Sequence, residues 1–176
     1  MMQKIKATIS FVILIALLFS CSNRIYQTAV TEGTSETVLQ LALTKIDEPY
    51  TWAGRGPEEF DCSGLITWSY KQVVGKDEIF RIQDQIVSDA NMNDLYEWNV
   101  TILPEEEIKS GDIVFITNTK NKIVHGGLFI KWVDADSLQL LNASSFHNKI
   151  EIATWPIKGK KRGQWFVGAG RFIISK

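Results

Sequence analysis

The apolar residues of this chain change their repeat once, near Pro104, from helical spacing to strand spacing, and that single change limits the fold more than any other feature. Ahead of it, Val38, Leu41, Ala42 and Ile46 recur at helical intervals. Thr34 or Ser35 can cap that helix, Glu36 sits favourably in its first turn, and Pro49 ends the pattern. Residues 50–60 read as a loop rich in Gly and Pro. A second helix starts at Asp61-Cys62-Ser63 and stops at Gly75, with Leu65, Ile66, Tyr70, Val73 and Val74 on its inner face. Residues 81–90 read as a third, shorter helix. Beyond Pro104, residues 113–116 form a short apolar run bounded by Gly111 and Asn118, hence a buried strand. Residues 124–133, 138–142, 149–153 and 164–174 follow as strands between polar turns. Helices followed by strands predict an α+β domain with an antiparallel sheet, and 176 residues leave room for one such domain.

The first 20 residues carry an address. Lys4 and Lys6 precede an apolar run over residues 9–18, which is a secretory signal pattern. The run is too short to cross roughly 30 Å of hydrocarbon as a helix. Leu18-Phe19-Ser20-Cys21 resembles the bacterial lipobox, although Phe19 is bulkier than the usual residue there. The resemblance implies that residues 1–20 are removed and that Cys21 is acylated. A lipoprotein of the bacterial envelope follows, on the periplasmic side of the outer membrane, held to the membrane through Cys21. An ordinary cut near Ser20 would instead leave Cys21 a free thiol. Residues 22–34 are polar and without helical period, and read as a tether to a domain over residues 35–176.

Charge and cysteine usage narrow the function. The formal net charge is −1, and loss of Lys4 and Lys6 leaves 17 basic and 20 acidic side chains. No broad basic face is available for nucleic acid. Two Cys and two His lack ligand spacing and cannot close a zinc site alone, so neither a metal nor another cofactor is expected. The basic run over residues 158–163 reads as a solvated hairpin turn, with contact to anionic lipid or wall polymer as the other reading. If Cys21 is acylated, Cys62 is the one remaining thiol of an exported protein, which points to chemistry. At the first turn of a helix, the N–H groups and dipole favour its thiolate. A base would then be His125, in an apolar strand beside Gly126 and Gly127, or His147, in a polar turn. Taken alone, such a Cys is more often an inert small hydrophobe, and a strand His more often a hydrogen-bonded core residue than a base.

The neighbouring residues decide between these readings. Tyr50-Thr51-Trp52-Ala53-Gly54 followed by Phe60-Asp61-Cys62-Ser63-Gly64-Leu65-Ile66 resembles the signature of the NlpC family of bacterial cell-wall cysteine peptidases. Lys109-Ser110-Gly111-Asp112-Ile113-Val114-Phe115 is similar to the family's Pro-Gly-Asp-Leu-Val-Phe strand. His125-Gly126-Gly127 resembles its His-x-Gly strand, and Leu141-Asn142-Ala143-Ser144 its His-Ala-Ser element. The resemblance covers roughly residues 36–174 and implies a papain-like fold. It implies that Cys62 is the nucleophile, His125 the base and later the acid, and Asn142 the residue that orients the imidazole. By the same likeness, the Cys62 N–H and the Tyr50 hydroxyl hold the oxyanion, and Asp61 and Ser63 hold a substrate amine. Trp52 is packing or a groove wall.

The substrate implied is the peptide stem of peptidoglycan, cut by a monomer at or next to the γ-D-glutamyl linkage to a diamino acid. Three departures stand out. Ala53 replaces a Gly with a small methyl. Arg55 adds a cation beside the cleft, for a substrate carboxylate or for solvent. Gly126 replaces a branched residue and predicts a looser strand. The same constellation also serves an amidase or acyltransferase, and a catalytically silent wall-binding lipoprotein is the rival of another class.

Overall fold

A computed structural model describes residues 25–118 and 122–176. The signal segment 1–20 and Cys21 lie outside the described residues. Helices α1 (Glu32–Leu43), α2 (Cys62–Val74) and α3 (Met92–Trp98) precede most of the sheet. The strands are β1 (Gln27–Ala29), β2 (Phe80–Ile82), β3 (Gln85–Val87), β4 (Val100–Leu103), β5 (Ile113–Thr117), β6 (Ile123–Asp134), β7 (Ser137–Ser144), β8 (Lys149–Pro156) and β9 (Trp165–Ser175). β2 and β3 form a separate hairpin; the other seven make one antiparallel sheet, β1-β9-β5-β6-β7-β8, with β4 also on β9. This is the α+β arrangement expected. Among the described residues no helix is long and apolar enough to cross a membrane.

Alternation along the strands sorts side chains onto two faces. Ile113, Phe115, Leu128, Leu141, Ala143 and Ile150 join Val38, Leu39, Leu65, Ile66, Tyr70 and Leu95 of the helices in one core. Val114, Ile116, Phe129, Leu138, Leu140 and Trp155 face the other way and make a second. Leu65, Ile66 and Tyr70, expected on the inner face of α2, are wholly buried. Burying each of the two aliphatic side chains contributes about 1.5–3 kcal/mol. Asp112, wholly buried, accepts from Arg171 Nε and Nη2 at 3.0 Å each and from Lys109 N at 2.8 Å, tying β9 to the entry of β5. Pairing and three hydrogen bonds offset the desolvation of both charges.

Three expectations are corrected. Residues 81–90 are not a helix. Ile82 and Ile86 mimic a helical i, i+4 pair, but the chain turns back at Gln83 (φ 56°) and Asp84 to form β2–β3. The buried Asn99 clamps that hairpin, accepting from Arg81 N at 2.7 Å and donating to Arg81 O at 2.9 Å. Residues 27–29, expected to lack regular structure within the tether, pair with 173–175 of β9. α1 therefore begins at Glu32, capped by Thr31, whose Oγ1 accepts from Thr34 N, rather than by Thr34 or Ser35. Ile46 lies past its end and is 39% exposed.

The loop before α2 is tight. Thr51 N donates to Phe60 O, Gly54 N to Thr51 O, and Asp61 N to Gly54 O. α2 is packed onto this loop so closely that a Cβ on Gly64 would lie 1.9 Å from Gly54 O. Ala53 sits at φ 61°, so the departure at this position is a matter of backbone as well as of methyl volume. An L residue in that region costs about 1 kcal/mol.

Two stability changes follow. Gly64→Ala should cost about 3 kcal/mol, because the carbonyl it meets belongs to the backbone and cannot rotate away. Ala53→Gly should stabilise by no more than about 0.5 kcal/mol, after allowance for the freedom glycine returns to the unfolded chain. Urea unfolding of both variants measures the shifts, and a stable Gly64→Ala protein would contradict the packing described.

Candidate active site

The cysteine half of the site is built at the start of α2. Asp61 is extended (φ −94°, ψ −179°) and caps the helix. Its Oδ1 accepts from Gly64 N at 2.6 Å and from Ser63 Oγ at 2.8 Å. Its Oδ2 takes Arg55 Nη1 at 2.6 Å, and Arg55 Nε reaches Asp89 Oδ2 at 2.7 Å. Arg55 thus stands on the wall of the cleft but is held there by two carboxylates of the chain itself. Cys62 follows the cap as the first helical residue, half-buried. The N–H groups of Ser63 and Cys62 and the charge of Arg55 favour its thiolate, as a helix start should. Burial, and next the Asp61 charge, outweigh them and push the thiol up to about 12. The resting side chain is a neutral thiol, contrary to the expectation from the helix end alone.

The histidine half is built on adjacent strands. Leu128 pairs with Leu141, which sets Gly127 opposite Asn142 and His125 on the same face, one pair further along. A Cβ on Gly127 would lie 2.2 Å from Leu141 O and 3.0 Å from the Asn142 Cβ. Glycine there lets Asn142 cross to His125, whose Nε2 stands 3.2 Å from Asn142 Oδ1. The Asn142 amide donates through Nδ2 to Glu151 O at 3.2 Å, so its oxygen faces the ring. Nε2 is therefore the protonated nitrogen, and Nδ1 keeps its lone pair. Burial lowers the imidazole pKa, against a smaller upward pull from Asn142. Gly126 does not loosen the strand. A Cβ there would meet Val114 O at 2.2 Å and the Met92 methyl at 2.4 Å, so two elements close on it.

The two halves meet in one open cavity of about 860 Å3. Its wall brings together Cys62, His125 and Asn142 with Tyr50, Asp61 and Ser63, all six of the site residues expected within the domain. Burial and then the charges of Cys62 and Asp61 raise the Tyr50 pKa, keeping its hydroxyl a neutral donor. Trp52 is 85% exposed on the cavity wall, hence a groove wall and not packing. His147 also reaches the cavity, with Nδ1 held by both Glu151 oxygens at 2.6 and 2.7 Å.

The strand pattern alone did not announce Trp155, whose ring lies 6.0 Å from that of His125, nor the presence of Lys161 and Arg162 on the cavity wall. Only the register of β7 and β8, in which Leu138 pairs with Trp155, carries that information. Among the described residues no cluster of three or more His, Cys, Asp or Glu is gathered to hold a metal.

Comparison with known proteins gives the family and the fold. The "Probable endopeptidase p60" of Listeria grayi is 32% identical over 129 residues, covering 72% of this chain and 20% of that protein. The "Murein DD-endopeptidase MepH" of Escherichia coli is 27% identical over 105 residues, 58% of this chain and 35% of that protein. The chain thus spans about a fifth to a third of the length of these relatives. NlpC1 from Trichomonas vaginalis superposes with a TM-score of 0.56 at 19% identity, over 79% of this chain and 44% of that one, a likeness of fold and hence a papain-like α+β architecture. Residues 47–171, most of the described chain, match the family described as NlpC/P60, and the protein belongs to that family.

Proposed function

We propose that the protein is a cysteine endopeptidase that hydrolyses peptide bonds of the peptidoglycan stem, at or next to the γ-D-glutamyl linkage to a diamino acid. The observation that carries the reading is one cavity holding a thiol at a helix start and an imidazole whose Nδ1 lone pair is kept available by Asn142. His125 Nδ1 takes the thiol proton as Cys62 Sγ attacks the carbonyl carbon. The Cys62 N–H and the Tyr50 hydroxyl take the developing oxyanion. The C–N bond then breaks, His125 gives its proton to the leaving amine, and a thioester remains. Water, deprotonated by His125, hydrolyses the thioester and restores the thiol.

Asp61 and Ser63 support this chemistry from the cavity wall. They are bound to each other, and Asp61 also to Gly64 N and Arg55, which fixes the first turn of α2 and holds both side chains where the motif implies a substrate amine. Acylation of Cys21 would hold the domain at the periplasmic side of the outer membrane, working there as a monomer. The bond is inferred from the sequence motifs; the name of the E. coli relative favours a second one, the DD cross-link between stems.

Digestion of purified peptidoglycan, read by mass spectrometry, tests the reaction and names the bond. Cys62→Ala should lower turnover at least about a thousandfold. A fragment pattern unchanged between the two proteins would sink wall hydrolysis.

The pH profile follows from burial of His125. Its folded pKa lies below the ordinary value of about 6.5, so the unfolded chain takes up the proton first. The stability contributed by the neutral ring is complete above about pH 6.5 and is lost as pH falls through the folded value. The kcat/KM should be level from about pH 6.5 to neutrality and fall at lower pH as one proton is bound. An acid limb centred above pH 7 would contradict the assignment.

A further inference from the structure

We propose that the loop between β8 and β9 gives the cleft a carboxylate-binding subsite, in which Lys161 and Arg162 receive a free carboxylate of an anionic peptide. This deepens the peptidase reading above and rests on it for the identity of the peptide. The chain as a whole is slightly acidic, at net −1. Its cleft is not: the charged side chains on the cavity wall are Arg55, Lys122, Lys161 and Arg162 against Asp61 and Glu151. Arg55 is already neutralised by Asp61 and Asp89. Glu151, whose two oxygens lie 2.6 and 2.7 Å from His147 Nδ1, is the one carboxylate of the wall whose charge reaches Lys161 and Arg162, one negative charge against two positive. Lys161 and Arg162 therefore face the cavity with more positive charge than the chain returns to them.

The two cations are held in place and not merely tethered. Lys161 N donates to Gln164 O at 2.8 Å and Gln164 N to Lys161 O at 3.0 Å, closing a tight turn around Arg162. Arg162 adopts φ 54°, a conformation L side chains rarely take. Its guanidinium lies 3.5 Å over the Phe146 ring, and its Nη2 is 3.4 Å from His147 Nε2. A guanidinium stacked on a ring keeps its edge N–H groups for bidentate pairing with a carboxylate. Lys161 Nζ lies 5.1 Å over Trp155 and donates to Thr154 O at 2.5 Å, which leaves two further N–H donors. Burial, and next the neighbouring Arg162, disfavour its charge against a smaller favourable pull from Glu151, and the charge of a bound anion would add to that pull.

The chemistry of the proposed substrate supplies such an anion. A glutamyl residue linked through its γ-carboxyl keeps its α-carboxylate free beside the scissile bond, and the diamino acid that follows carries another. An α-linked residue with a neutral side chain places no carboxylate there. The run over residues 158–163, which reads as a solvated turn in the sequence, thus contributes two of its side chains to the cleft.

Binding to the full chain carrying Cys62→Ala, measured by calorimetry, tests the subsite without turnover. The probes are L-Ala-γ-D-Glu-meso-diaminopimelate with free carboxylates and the same tripeptide with those carboxylates amidated. The acid should bind at least tenfold tighter than the amide. Adding Lys161→Met and Arg162→Gln should remove that difference by weakening the acid alone, with an unchanged melting temperature, since both side chains lie in a surface turn. Equal binding of acid and amide, discrimination that survives the double substitution, or no measurable binding of the acid would each overturn the subsite. Discrimination by the Cys62→Ala chain, together with failure of the wild type to cleave either probe, would support the subsite and count against the peptidase reading.

Discussion

Asp61 engages both carboxylate oxygens within a few residues of the nucleophile, and the cysteine side of the cleft is placed by that arrangement. One oxygen accepts from the amide of Gly64 and the hydroxyl of Ser63; the other takes the guanidinium of Arg55. The cap satisfies a donor that the start of α2 would otherwise leave open, and so fixes where the helix begins and where Cys62 stands. The cap works only because Gly64 has no side chain, since the helix is drawn against the Gly54 carbonyl. Removing the carboxylate would release the helix start, the loop over residues 50–60 and Arg55 together, which is why these elements are best regarded as one unit.

The same carboxylate has an electrostatic consequence for the reaction. Its charge adds to burial in disfavouring the Cys62 thiolate, while burial also disfavours the charged form of His125. In the reaction proposed, the thiol proton moves to the imidazole in a site that disfavours both the thiolate and the imidazolium. A low-dielectric site makes the donors aimed at the oxyanion count for more than they would in water. Asn142 belongs to this account through its amide orientation. By donating to the Glu151 carbonyl it turns its oxygen to Nε2, and so decides which ring nitrogen can act as base.

Much of the fold was legible because its signals are local. Asp61 as a cap, Gly75 as an αL stop and the apolar spacing between them define α2 without reference to the rest of the chain. Residues 113–117 read as a strand because all five are apolar or β-branched, and all five are buried. α3 carried a usable signal that went unread: Asn91 and Asp94 form a capping box ahead of Leu95. The β2–β3 hairpin carried a misleading one, because two residues four apart satisfy a helical pattern as well as facing strands do. Asn99, 18 residues away, settles the matter by bonding both the N–H and the carbonyl of Arg81. β1 is three residues long, too short for any period, and exists because β9 offers it a partner.

The amino-acid sequence by itself determined the α+β order, the helix that carries Cys62 and the strand that carries His125, while the six residues gathered in the cleft were named by the resemblance of its motifs to a family. Caps, stops and alternation act over a few residues, so they survive without a tertiary context. Only the folded chain decided that the thiolate of Cys62 and the imidazolium of His125 are disfavoured, because burial is the main cause of both shifts. It also decided that Arg55 pairs with Asp61 and Asp89, that Ala53 takes a left-handed conformation, and that Lys161 and Arg162 line the cavity. Each of these depends on atoms brought close by folding, and a distance through space is not written in the spacing of residues along the chain.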